Sequence, residues 1–79
     1  MDIQKAKQFI ISSARPLELA WYRAVFEGGP KQAVIEELKK FQNPDGGFGN
    51  ALEPDNWNPN STPITTNAAL ICLCETGAL

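Results

Sequence analysis

Phe41-Gln42-Asn43-Pro44-Asp45-Gly46-Gly47-Phe48-Gly49 decides the reading of this 79-residue chain. It joins a charged amphipathic segment on its N-terminal side to a loop rich in turn residues. Asn43-Pro44-Asp45-Gly46 is a turn with proline at its second position. The irregular stretch then runs over 43–62, longer than most connections in compact domains. It carries Phe48, Leu52 and Trp57, so it is expected to be ordered and packed rather than free.

Beyond this loop, Thr62 is the expected cap of a helix over 63–76, with Pro63 at the first position, where its missing N–H is harmless. Ile64, Ala68, Ala69, Leu70, Ile71, Cys72, Leu73 and Cys74 leave that helix almost no polar side. A helix apolar all round is a buried one. Gly77 is its expected stop.

On the other side of the loop, three helices are legible. Asp2 caps the first, over 2–14, whose apolar face is Ile3, Ala6, Ile10 and Ala14. Pro16 ends it, because a residue before proline avoids the helical region. The second, over 17–27, carries Leu17, Ala20, Trp21, Ala24 and Val25 as its stripe and Glu18 in its first turn. Glu27-Gly28-Gly29 closes it with a left-handed glycine. The third, over 30–42, buries Val34, Leu38 and Phe41, with Ile35 at the edge. Glu36 and Lys40 are spaced for an i,i+4 ion pair.

Seventy-nine residues make one small domain at most, and a single core of this size is marginal without help. An apolar fraction of 43% and a charged fraction of 20% are globular values. The net charge is −2, and the seven Lys and Arg residues are dispersed among acids. That excludes a nucleic-acid backbone as partner and a polybasic membrane patch. The longest apolar run, Ala68 to Cys74, is far short of a membrane span. Phe9-Ile10-Ile11 is too short for a secretory leader. Cys72 and Cys74 point to different sides of one helix, so they are read as buried reduced thiols of a cytoplasmic protein. With no histidine, no closed zinc site can be built here, and no cofactor is expected in this segment.

At Gln42 to Phe48 the residues resemble a known pattern. Glutamine, glycine four places on and an aromatic two further is similar to the QW repeat of triterpene cyclases, with Phe48 in place of tryptophan. The run on to Thr65-Thr66-Asn67-Ala68-Ala69-Leu70 resembles a repeat of protein prenyltransferase beta subunits. It is still more similar to bacterial proteins described as prenyltransferase-like or terpenoid-cyclase-like, in which a Gly-Phe-Gly loop precedes a Leu-Glu-Pro-Asp segment, here Leu52-Glu53-Pro54-Asp55, and a Ser/Thr-Pro helix start. The match covers roughly the second half of the chain. Arg15-Pro16-Leu17-Glu18 and Trp21-Tyr22 fit the N-terminal helices of that group more loosely.

The resemblance implies an all-α chain forming helical pairs of an incomplete α/α toroid, with the third helix outer and the fourth inner. It implies an N-terminal piece of a prenyltransferase/terpenoid-cyclase-like protein that holds an isoprenoid-type ligand in a central cavity. Its partners would be the remaining repeats or another copy of the chain. The alternatives are a non-catalytic helical-repeat binding or scaffold protein, and a carbohydrate-active enzyme on the same toroid. No Asp-x-Asp-Asp motif is present, so no catalytic residue carries over and any catalysis falls outside this segment.

Within the segment, Gln42, Asp45, Gly46, Gly47 and Phe48 are read as a structural turn motif: polar side chains bond free backbone groups at helix ends, glycines permit the turn, and Phe48 plugs an interface. The loop oxygens of Asp45, Asn50, Glu53, Asp55, Asn56, Asn58 and Asn60 are read as turn chemistry in preference to a calcium site. Glu53 and Asp55 are the candidate acids. Trp57 is the candidate ligand-contacting aromatic, and Trp21 is read as packing.

Overall fold

The computed structural model describes all residues, Met1–Leu79. Four α-helices follow one another: α1 (Ile3–Ser13), α2 (Pro16–Phe26), α3 (Lys31–Leu38) and α4 (Pro63–Glu75). No strand forms, and the class is all-α. The punctuation read from the sequence is in place. The Lys5 N–H donates to Asp2 Oδ1 at 3.0 Å, and Ala14 lies extended ahead of Pro16. Gly28 takes a φ of +68° after α2, and the Gly29 N–H reaches back to the Arg23 carbonyl at 2.8 Å. The Thr65 N–H donates to Thr62 Oγ1 at 3.1 Å, with Pro63 in the first turn.

The third helix departs from its expected form. Pro30 lies just outside it, and the last turn, Lys39–Phe41, tightens into a 3₁₀ helix. Residues three apart then stack above each other. The ion pairs are accordingly Lys39–Glu36 at 3.1 Å and Lys40–Glu37 at 2.7 Å, not the Glu36–Lys40 pair that ordinary helical spacing favours.

α1 packs on α2, α2 on α3, and α3 on α4, in a body of 40 × 24 × 17 Å. The core is small: Leu17, Val34, Leu38, Phe48, Leu52, Ala69 and Cys72, with Trp21 and Phe41 packed against it. Nothing in α1 is buried. On α4 only Thr65, Ala69 and Cys72 are buried, while Ile64, Leu70 and Ile71 face out. Val25, placed on the α2 stripe by periodicity, is also exposed, as is Cys74. The apolar surroundings that the composition of α4 calls for are therefore not supplied by α1 to α3. The accessible surface is 5351 Å², against about 4700 Å² for a compact monomer of 8.6 kDa. No helix is long and apolar enough to cross a membrane.

The loop is ordered by a hairpin with a three-residue connection. The Gly46 N–H donates to the Asn43 carbonyl at 2.9 Å, and the Asn43 N–H to the Gly47 carbonyl at 2.8 Å. Gly46, at φ +88°, supplies the left-handed residue this hairpin needs. Gln42 pairs with Phe48 in an antiparallel bridge. Next comes a second turn, in which the Leu52 N–H donates to the Gly49 carbonyl at 3.1 Å. Its central residues Asn50 and Ala51 both have positive φ, at 57° and 62°. Asparagine tolerates this; alanine is strained. Replacing Ala51 with glycine is expected to stabilise the chain by about 0.5–1 kcal/mol, strain relief outweighing the extra freedom of the unfolded glycine. Urea unfolding measures this, and a loss of stability would show that Ala51 is not strained.

Candidate functional site

A cleft of about 230 Å³ opens between α2, α4 and the turn that follows the hairpin. Leu17, Trp21, Leu52, Ala68 and Cys72 give it an apolar lining, and Arg15, Glu18 and Glu53 are its charged groups. Each is positioned by a local feature of the sequence. Pro16 forces Arg15 into an extended conformation (φ −65°, ψ 161°) at the start of α2. Glu18 follows one turn later. The positive-φ turn at Asn50-Ala51 swings Leu52 inward and brings Glu53 to the cleft.

Arg15 organises this corner. Its Nε donates to Glu18 Oε1 at 2.6 Å and its Nη2 to Glu18 Oε2 at 2.8 Å, a two-pronged pair. Nη1 donates to the Ala51 carbonyl at 3.0 Å and Nη2 also to the Leu52 carbonyl at 2.8 Å. The guanidinium carbon sits 5.5 Å from the centre of the Phe41 ring. The hydrogen bond with Glu18 raises the Arg15 pKa above its ordinary value, overcoming the lowering by partial burial. Sequence reading placed Glu18 as a first-turn acid of the second helix and Arg15 in a loose part of a resemblance; it did not find this role.

Glu53 Oε1 accepts from Thr65 Oγ1 at 2.8 Å, and Thr65 Oγ1 accepts from Thr62 Oγ1 at 2.9 Å. The helix cap is thereby wired to a cleft carboxylate. Asp55 and Trp57 lie elsewhere. Asp55 is exposed in the turn after Glu53. Trp57 is 82% exposed, its Nε1 donating to the Pro54 carbonyl at 2.7 Å. Glu53 and Asp55 thus do not share the cleft, and the tryptophan that lines it is Trp21.

The turn motif is brought together as a unit. Gln42 Nε2 donates to the Gly46 carbonyl at 3.0 Å, so it closes the hairpin and not a helix end. Asp45 Oδ1 accepts from the Gly47 N–H at 2.9 Å and from Ser61 Oγ at 2.7 Å. Phe48 is buried; its N–H donates to Thr66 Oγ1 at 3.0 Å. Asn43 Nδ2 donates to the Pro59 carbonyl and to Ser61 Oγ, both at 3.0 Å. Asn56 and Asn58 each accept a backbone N–H two residues on. These amides are engaged in turns. No group of three or more metal-ligating side chains converges.

The two bonds to Asp45 hold its carboxyl below the ordinary carboxylate range, that from Ser61 first and that from the Gly47 N–H second. A carboxyl whose folded pKa is lowered stabilises the fold above its unfolded pKa, and the contribution is lost as pH falls through the folded value. Asp45→Asn keeps an acceptor oxygen without the charge. The stability difference between wild type and this variant is expected to be level at neutral pH and to shrink below about pH 4. Urea unfolding across pH measures it; a difference unchanged down to pH 2 would contradict this account.

The Cys72 thiol, in the cleft wall, is pushed up to about 11 by burial first and then by Glu75 and Glu18. It is therefore protonated and inert at neutral pH. Comparison with known protein families, curated proteins and solved structures returns no match for this chain.

Proposed function

We propose that this chain is a helical-pair unit of a prenyltransferase/terpenoid-cyclase-like α/α toroid, and that its α2–α4 cleft is part of an apolar cavity holding an isoprenoid-type ligand. The observation that carries this is the pairing of an apolar cleft with apolar residues left uncovered on α4. In a toroid, α3 is the outer helix, and Lys31, Glu36, Lys39 and Lys40 suit it to water. α4 is the inner helix, and Ile64, Leu70 and Ile71 would meet further helical pairs or a second copy. The cleft alone is smaller than the roughly 300–1000 Å³ of most ligand pockets, as one wall of a larger cavity would be.

The state of the polar groups favours binding without catalysis as the second reading. Arg15 and Glu18 hold each other and the loop, and Glu53 holds Thr65. Arg15 and Glu18 are committed to structure, and Glu53 commits one of its two oxygens. A carbohydrate-active enzyme has less support, because Glu53 and Asp55 do not face a common space.

Trp21 reports on the cleft. In a Trp57→Phe background, titration with farnesol is expected to change Trp21 fluorescence saturably, and a cellulose tetrasaccharide to leave it unchanged. Ala68→Phe, which fills the cleft, is expected to weaken farnesol binding at least about tenfold. An unresponsive Trp21, or equal binding by the filled variant, would reject the reading.

A further inference from the structure

We propose that the α2–α4 cleft selects a ligand whose apolar chain ends in a protonated amine, held by the Glu53 carboxylate, and that it disfavours phosphorylated head groups. The inference rests on the reading of the cleft as an apolar ligand site, and it specifies the head group that site takes.

Three charged groups line the cleft: Arg15, Glu18 and Glu53. Their formal sum is −1. An anionic head would need Arg15, but that guanidinium is already committed. Four of its hydrogen bonds go to Glu18 and to the Ala51 and Leu52 carbonyls. Freeing it would unpair Glu18 and release the strained turn at Ala51. A diphosphate brought into this cleft would therefore meet two carboxylates and no available cation.

Glu53 is differently placed. One oxygen, Oε1, accepts from Thr65 Oγ1, which fixes the side chain against α4. Its other oxygen takes no hydrogen bond within the chain. Glu18 has both oxygens engaged by Arg15. Glu53 thus holds the open acceptor among the charged groups of the cleft, oriented by a buried threonine at 3% exposure. An ammonium group supplies the matching donors and charge. Trp21 lies in the same wall, and an aromatic ring there can also attract a cation. Apolar walls strengthen such a field by excluding water.

The test compares three ligands with one chain: farnesylamine, farnesol and farnesyl diphosphate, each below its aggregation concentration. Trp21 fluorescence in the Trp57→Phe background is the readout. Farnesylamine is expected to bind at least about tenfold more tightly than farnesol, and farnesyl diphosphate most weakly of the three. Glu53→Gln keeps an oxygen for Thr65 and removes the charge; it is expected to erase the amine's advantage over farnesol, both ligands being measured in that variant. In the unsubstituted Glu53 protein, added salt is expected to weaken the amine and not the alcohol. Farnesol binding without an amine preference, diphosphate binding as tight as that of farnesol, or an amine preference that survives Glu53→Gln would overturn the inference while leaving the apolar site standing. No binding by any of the three would remove both.

Discussion

Gly49→Ala is expected to destabilise the chain by about 3 kcal/mol, among the larger effects available to a single added methyl. The reason is space and not backbone freedom. A Cβ at this position would lie 2.7 Å from the Pro59 carbonyl oxygen and against the Asn60 backbone. Relief would require one of the two strands of chain to move, and both are pinned. The Pro59 carbonyl is held by Asn43 Nδ2, the Asn60 N–H donates to Asn58 Oδ1, and the Thr62 N–H donates to the Phe48 carbonyl. On its own side, the Gly49 N–H is bonded to Phe41 and its carbonyl to Leu52. Any shift of residue 49 also drags Phe48, which is buried in the core. Domains of this size have only about 4–12 kcal/mol in total, so the urea midpoint is expected to fall steeply. Gly46→Ala provides the comparison. Its φ of +88° makes alanine strained, but nothing lies within 4 Å of a Cβ there. That substitution is expected to lose about 1 kcal/mol. Equal losses at the two glycines would mean that the 59–61 segment does not press on Gly49.

This contrast marks where sequence reading stops. Gly46 was legible because proline, aspartate and glycine in order signal a turn, and turn chemistry is local. The demand on Gly49 comes from residues ten and eleven positions away, which no local pattern records. The same division runs through the fold. Helix ends at Asp2, Pro16, Gly28 and Thr62 were readable because capping acts within four residues. The 3₁₀ ending of α3 was not, and with it Glu36 pairs with Lys39 in place of Lys40, which goes to Glu37. Burial was readable only for the faces this chain itself covers. Leu17, Val34, Leu38 and Ala69 are in the core, whereas Val25, Ile64, Leu70 and Ile71 are equally apolar and exposed. Periodicity reports that a face is apolar; it does not report what covers it. In the site, Glu53 was found because it stands in a recognisable loop segment. Asp55 and Trp57 came from that same loop but lie outside the cleft. Trp21, read as packing, does pack against the core and also lines the cleft.

Arg15→Met is expected to lose about 3 kcal/mol, concentrated in the 50–58 turn and not in the helices. Methionine keeps the unbranched aliphatic stem beside Phe41 and removes the charge and the donors. Two charge-assisted bonds to the Ala51 and Leu52 carbonyls disappear, at roughly 1–1.5 kcal/mol each once partial exposure is allowed for. The pair with Glu18 adds only about 0.5 kcal/mol, because both side chains are 35% exposed. What makes the carbonyl bonds valuable is where they fall. They hold a turn whose alanine sits at φ +62°, a conformation it would otherwise leave. Arg15→Lys is expected to recover less than half of the loss, since a single ammonium cannot reach Glu18 and both carbonyls from one position. Hydrogen exchange locates the effect: the Asn50 and Leu52 amides, bonded to Asn58 and Gly49, are expected to lose protection while the α3 amides keep it. These bonds cross 36 and 37 residues of sequence. They tie the first turn of α2 to the loop that brings Glu53 to the cleft. If the variant unfolds with unchanged stability, or if Lys restores it fully, the turn is held by its own hydrogen bonds and Arg15 is free to meet an anion. That outcome would also remove the charge argument for an amine-bearing ligand, so one substitution tests the architecture of the cleft and its selectivity together.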